Sequence, residues 1–344
     1  MVSTVFFILP PDKSMASIYV RGTCFEGFAP EGYEFKFISP ESDYFKFSFA
    51  ARLKNLANYA LAINKIKIRN NSNQYFYFIK PSSWVLLALC RFIYGCKVII
   101  DINDPIHLPE HLGAFSRIKF IMMLRVANAA VFESMEYERY TRDWHGIPTV
   151  VIEDTPQFEL SLINYKKRQN TLVWFGSPAT SRILVNYIGH FKKVNRAGFS
   201  ITLLGADVQV VKNLRECGIV CNSEDKYNHE LLFNTLANAL LSFVPMPNTE
   251  SYSLRGNLKA KFSMATGCIT IASDLPMHKR LIKNGVTGFT FSDFNEFCMI
   301  IDYIGKSNSI IHEGMGGAAN CEIMINFNRK SHAEKICNFF NSLC

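Results

Sequence analysis

Residues 248–291 read NTESYSLRGNLKAKFSMATGCITIASDLPMHKRLIKNGVTGFTF, which sets two turn–helix–strand units back to back. Leu258, Phe262 and Ala265 recur at helical spacing and make one apolar face. Gly267 ends that helix. Residues 268–272 (CITIA) then form a short, partly β-branched apolar run, as in a strand buried on both faces. Asp274 and Pro276 open a second short helix, Asn284-Gly285 closes it, and GFTF from Gly288 is the next strand. Strands covered on both faces and alternating with helices make an α/β fold on a mostly parallel sheet.

A chain of 344 residues is long enough for about two domains, each with its own core. Hydrophobic residues at 49% and charged residues at 19% exclude a disordered chain. The net charge of +8 suits anionic substrates or an anionic membrane surface, but no Lys/Arg run is dense enough for nucleic acid. The ten cysteines include no CxxC, and Cys217 and Cys221 form only a CxxxC, so they read as reduced, mostly apolar thiols. VFFILPP near the start lacks a basic flank and reads as a first strand rather than a signal peptide. Residues 84–90 are apolar but broken by Arg91 and Lys97, too short to span a bilayer.

In order, the first half predicts a strand over 2–9 and a helix capped by Ser14 or Ser17. An aromatic stretch over 27–49 contains a YEFKF strand, and its Phe and Tyr residues, among them Tyr44, Phe45 and Phe47, read as core in preference to a lipid-facing patch. A helix over 55–63, a strand YFYFI over 75–79, a helix over 82–94 and a strand over 97–102 follow. The last strand runs into DINDPIH, which gathers Asp101, Asn103, Asp104 and His107 at its carboxyl end. Parallel sheets open their ligand crevice there, and a carboxylate or imidazole can take a hydroxyl proton. The competing reading is turn formation by Asn-Asp-Pro, stronger for Asp101 and His107 than for Asp104. Strands over 129–133 and 148–152 complete this half, and 155–170, with NYKKRQN, reads as a hinge.

The second half predicts strands over 171–175, 199–204, 218–221 and 240–244, a helix from Ser177 to about residue 197, a helix over 228–236 and a last helix over 330–343. Asp293 and Glu296 form a capping box. Two helix starts have the makings of anion sites. At the first, Ser177 caps, Pro178 takes the first helical position, and Gly176 lets backbone approach a phosphate. At the second, Asn257 caps, and Arg255, Lys259 and Lys261 crowd the end of the helix dipole. A diphosphate gripped between them is the functional reading; a solvated basic turn is the plain one. HExxH, a Cys/His metal set and a Walker loop are absent from the sequence. The run from Gly314 to Ala319 spells GxGxxA but reads as a helix cap or loop.

Lys259, then Met264-Ala265-Thr266-Gly267, IASDLP and LIKNGVTGFTF, resemble the nucleotide-binding domain of the GT-B glycosyltransferases, the retaining "group 1" type in particular. WFGSPATSRILVNY is similar to the W-x-G-S-P-x-T motif of one branch of these enzymes. The resemblance implies two Rossmann-like domains with mostly parallel sheets facing across a cleft. The acceptor domain would be 1–160, with the last helix (330–344) packing back on it, and the donor domain 161–329. It implies transfer of a sugar from a nucleotide-diphosphate sugar to an acceptor hydroxyl, with retention and without a metal. No cofactor is implied beyond that co-substrate. Gly176, Ser177, Thr180, Arg182, Arg255, Asn257 and Lys259 would hold the diphosphate, and Asp104 and His107 would act on the acceptor side. The loop CNSED would edge the base. A glycan or lipid-linked glycan acceptor in bacterial surface polysaccharide synthesis is implied, with the protein cytoplasmic and peripheral at the inner face of an anionic membrane. One departure stands out: Phe262 sits where the pattern has a Glu or Gln that holds the ribose, and no Glu occurs between Ser251 and Gly285. A degenerate GT-B subunit supporting a partner enzyme, and a sugar-nucleotide epimerase of the same fold, are the rival readings.

Overall fold

The structure is a computed structural model that describes residues 2–10, 20–39, 49–64, 74–81, 83–109, 115–156 and 168–343. Ser14, Ser17, Tyr44, Phe45, Phe47 and most of the expected hinge lie outside the described residues. The chain divides into two compact units. The first comprises Met1–Gln157, Leu254–Gly256 and Asn328–Cys344, and the second Phe158–Ser253 and Asn257–Phe327.

The first unit is built on β1 (Ser3–Ile8), β2 (Tyr33–Ile38), β3 (Gln74–Ile79), β4 (Lys97–Ile102), β5 (Ala129–Phe132) and β6 (Thr149–Val151). They lie in the order β2-β1-β3-β4-β5-β6, every pair parallel. Alternation sorts their side chains. Phe6, Phe76, Phe78, Val98 and Ile100 meet Ile63 of the helix Phe49–Asn64, Leu87 of Trp84–Ala88, Phe120 and Met123 of Ser116–Val126, and Tyr137 of Met135–Thr141. On the opposite face Val5, Phe7, Tyr75, Tyr77 and Val131 meet Ala333, Ile336 and Phe340 of the last helix, Arg329–Ser342. Phe340 stacks on Tyr75 with centroids 4.8 Å apart. Burying a ring of that size stabilises by about 1.5–3 kcal/mol. Tyr33, Phe35 and Phe37 also pack on this core.

The second unit is built on β7 (Gln169–Phe175), β8 (Ser200–Leu204), β9 (Asn222–Glu224), β10 (Ala239–Val244), β11 (Ile269–Ser273) and β12 (Gly288–Phe291). Their order is β12-β11-β10-β7-β8-β9, again all parallel. The chain winds outward from β7 to β9, then returns to the other side of β7 at β10. Connections leaving the carboxyl ends of β7 and β10 therefore diverge, and a crevice opens between them. Leu172, Trp174, Leu241 and Phe243 face one helical layer, with Phe191, Leu214 and Ile301. Val244 and Ala272 face another, with Ala260, Met264 and Ala319.

Two expectations change here. The strand expected over 218–221 is β9, at Asn222–Glu224. Gly218, at φ +82°, closes the helix Val208–Glu216, and Ile219 and Cys221 are buried without joining the ladder. CNSED is thus largely an edge strand rather than a loop. The GxGxxA run lies inside the helix Ser309–Asn326, neither a cap nor a loop. That helix packs beside Leu258–Ala265, where Asn320 Nδ2 donates to the Ala265 carbonyl at 2.6 Å.

Candidate functional site

β7 ends at Phe175, and Gly176 N–H still donates to the Leu204 carbonyl of β8 at 3.0 Å. Ser177 then caps the helix Pro178–Ser181. Its Oγ accepts from Thr180 N–H at 3.3 Å, and Thr180 Oγ1 accepts from Ser177 N–H at 3.0 Å. The run continues through a tighter turn, Arg182–Tyr187, into the helix Ile188–Arg196. The capping box fixes the direction in which this segment leaves the sheet.

Gly176 is the point of convergence. A Cβ there would stand 2.6 Å from Thr180 Oγ1, 2.7 Å from Lys259 Nζ and 2.9 Å from the Trp174 ring. Lys259 arrives from the other side of the switch point, on the helix Leu258–Ala265 that leads into β11. Its ammonium lies 4.9 Å from the centroid of the Trp174 ring. Gly205 completes the close approach: at φ +72° a Cβ would fall 2.2 Å from the Gly176 carbonyl oxygen and 2.7 Å from the Tyr227 ring. Burial pushes the Tyr227 hydroxyl up to about 12, so it stays protonated. A small backbone-lined cradle at Gly176 thus carries the Lys259 ammonium and the Thr180 hydroxyl.

Other members of the expected anion site are placed differently. Asn257 makes no capping bond, because its backbone (φ −112°, ψ 28°) lies outside the extended region a cap requires. Its Nδ2 instead donates to the Met277 carbonyl at 3.1 Å, tying this helix start to the helix Pro276–Leu281. Lys261 does not crowd the same end. It is fully buried, with its ammonium 4.0 Å from the Phe327 centroid, because residues 260–265 are buried on every side of the helix. Phe262 is buried too, edge-on to Phe175 at 6.3 Å and 6.2 Å from the His229 ring. Arg182 is exposed and has no ion-pair or hydrogen-bond partner among the described residues. Arg255 falls in the Leu254–Gly256 segment of the first unit, where Leu254 joins the core.

At the carboxyl ends of the first sheet, Asp101 does not open to a crevice. It is buried, takes the Arg21 Nε–H at 2.6 Å and accepts from the Tyr77 hydroxyl. Arg21 also donates to Asp154 at 2.6 Å and to the Ile152 carbonyl at 3.0 Å. Burial pushes the Asp101 carboxyl up while Arg21 pulls it down. This carboxylate is a core fixture. Asp104 reaches the surface, paired with Lys80 at 2.9 Å. His107 is enclosed: Nδ1 meets the Tyr137 hydroxyl at 3.0 Å, and Phe120, Tyr140 and Trp144 surround the ring. Ser116 donates to the His107 carbonyl at 2.5 Å, which holds the residue in that cage.

The sequence reading missed the roles of Trp174 and Gly205. Trp174 is a ring platform two residues before the glycine, and Gly205 ends a strand in LLGAD, a known mark of close backbone approach. Among the described residues, no group of three or more His, Cys, Asp or Glu is placed to hold a metal ion, and no helix is long and apolar enough to cross a membrane.

No family model matches the sequence, and no curated protein matches it. Solved structures do. Anabaena HepE in complex with UDP and glucose is similar over 99% of this chain and 100% of its own, at TM-score 0.73 and 13% identity. Sucrose-phosphate synthase from Thermosynechococcus elongatus is similar over 99% of both chains, at TM-score 0.72 and 14% identity. TarM of S. aureus is similar over 83% of this chain, at TM-score 0.67 and 15% identity; the chain spans 58% of TarM's length. These are GT-B proteins, and this chain has their fold: two Rossmann-like units, each on a parallel six-stranded sheet.

Proposed function

We propose that this protein is a glycosyltransferase that moves a sugar from a nucleoside-diphosphate donor to a hydroxyl of a glycan or lipid-linked glycan, with retention. The observation that carries the reading is the meeting of Gly176, Thr180 and Lys259 at the switch point of a GT-B donor-type sheet. As the bond between the anomeric carbon and the diphosphate oxygen breaks, negative charge gathers on the departing diphosphate. Lys259 already stands over the cradle where that charge develops, so little reorganisation is needed. Protein groups supply this charge compensation, so the proposal requires no metal ion. Ser177 holds the helix start, Asn257 holds the start of the Lys259 helix, and Arg182 adds positive charge. On the acceptor side, Asp104 is the base we assign, with His107 bracing the loop behind it.

The UDP and UDP-glucose complexes of HepE make UDP-sugars the first donors to try. We place the reaction in the cytoplasm, at the inner face of a membrane, in bacterial surface polysaccharide synthesis. The test is a panel of UDP-, GDP- and CMP-sugars scored by melting temperature and by release of free nucleotide. A rise with at least one donor supports the reading. Absence of any shift sinks it and favours a non-catalytic subunit, the alternative to which Phe262 points.

A further inference from the structure

The second sheet ends in an edge at β12, which pairs with β11 alone. Along this edge, bordered by the helix Pro276–Leu281 and the helix Phe294–Lys306, lies a cavity of about 510 Å³. That volume falls within the roughly 300–1,000 Å³ usual for small-ligand sites. β11 and β10 stand between β12 and β7, so three strand spacings, about 14 Å, separate this edge from the strand that leads to Gly176. The cavity is a different place from the cradle.

Its floor is apolar. Ile282 and Ile300 are buried, and Phe289 is half-buried, set edge-on to Tyr303 with centroids 5.8 Å apart. Met299 adds an open flank, 63% exposed. Its rim is polar and held in place. Asp274, just past β11, pairs with Lys279 at 2.8 Å, and Glu296 Oε2 accepts from the Ser292 N–H at 2.8 Å. Asn284 Oδ1 accepts from the Thr290 N–H at 2.7 Å, and its Nδ2 donates to Thr290 Oγ1 at 3.2 Å. Each of these planar groups keeps capacity for a further hydrogen bond: the other oxygen of each carboxylate, and the second amide hydrogen of Asn284.

The chemistry of the lining selects the ligand. Two carboxylates against one ammonium disfavour a phosphate or an acidic sugar. Fixed acceptors and donors around an aromatic and aliphatic floor suit a molecule with hydroxyls at its rim and C–H groups on its face, which describes an uncharged sugar ring. We infer that this cavity binds an uncharged oligosaccharide, one sugar face resting on Phe289 and Met299 and its hydroxyls bonded by Asp274, Glu296 and Asn284. No bond is made or broken there. The inference does not depend on the proposed donor chemistry at Gly176.

Saturation-transfer NMR and isothermal titration of the full chain test it, with millimolar maltotriose, cellotriose and chitotriose as uncharged probes and trigalacturonate as the acidic control. At least one uncharged trisaccharide binds, and trigalacturonate binds more weakly. Asp274→Ala lowers the affinity about tenfold or more, and Phe289→Ala about fivefold. Asp274→Ala keeps the wild-type melting temperature within a few degrees, because a partly exposed ion pair contributes little to stability. Saturating UDP leaves the trisaccharide in place, and Asp274→Ala leaves UDP binding unchanged. No binding by any of the three probes, equal binding of trigalacturonate, displacement by UDP, or full affinity in Asp274→Ala overturns the inference. A chain that binds a trisaccharide in this way but no nucleotide would overturn the proposed function alone.

Discussion

Replacing Lys259 by Ala separates the charge argument from the fold. The ammonium stands over Trp174 at 4.9 Å, close enough to Gly176 that a methyl group there would meet it at 2.7 Å. A diphosphate oxygen seated in the cradle at Gly176 would therefore take a charge-assisted hydrogen bond from it. Such bonds contribute about 1.5–3 kcal/mol, or roughly 10- to 150-fold in dissociation constant. The cost to stability is smaller. Losing the contact with the indole face removes about 0.5–1 kcal/mol, which for a chain of this size lowers the melting temperature by about 1–4 °C. Isothermal titration of UDP into wild type and Lys259→Ala reads the first effect, and a thermal melt the second. Lys259→Arg, which keeps the charge, should fall between them. If the wild type binds UDP and Lys259→Ala binds within about twofold of it, the diphosphate does not rest here.

Gly176→Ala should reduce nucleotide affinity as much as loss of Lys259, since its Cβ would fill the cradle at 2.6 Å from Thr180 Oγ1, and titration of UDP checks this. Asp101→Ala should destabilise by about 1–3 kcal/mol, because the buried Arg21 Nε–H and Tyr77 hydroxyl lose their acceptor while Asp154 still pairs the guanidinium, and the urea midpoint reports it. His278 is buried and donates through Nδ1 to the Ser273 carbonyl at 2.7 Å; burial holds its pKa near about 4. The unfolded chain takes up that proton near the ordinary value of 6.5, so His278 supports the fold above pH 6.5, and that support is lost as pH falls toward about 4. His278→Gln should therefore flatten the decline of stability across this window by roughly 1.4 kcal/mol per pH unit, read from urea melts at stepped pH.

Much of the architecture was legible because both sheets are buried on their two faces. Runs such as TLVWF, YFYFI and CITIA announce themselves by composition, and each matches an observed strand within a residue or two. Ser177-Pro178 was legible as a helix start because capping is local chemistry. What failed was tertiary. Three glycines at 314, 316 and 317 argue against a helix, yet the helix Ser309–Asn326 forms because packing beside Leu258–Ala265 outweighs their propensity cost. Lys261 looked like a surface cation, since spacing cannot say that a helix is enclosed on all sides. Asp101 looked like a cleft carboxylate, since its partner Arg21 is distant in sequence. The cradle at Gly176 was half legible: its residue types were visible, whereas the arrival of Lys259 beside Thr180 depends on the crossing of the chain between β7 and β10.

The most direct test is a crystal structure with UDP bound. The account predicts diphosphate oxygens within hydrogen-bond distance of Lys259 Nζ, with the phosphate resting on the Gly176 Cα. A diphosphate bound elsewhere, with Lys259 still folded over Trp174, would contradict it.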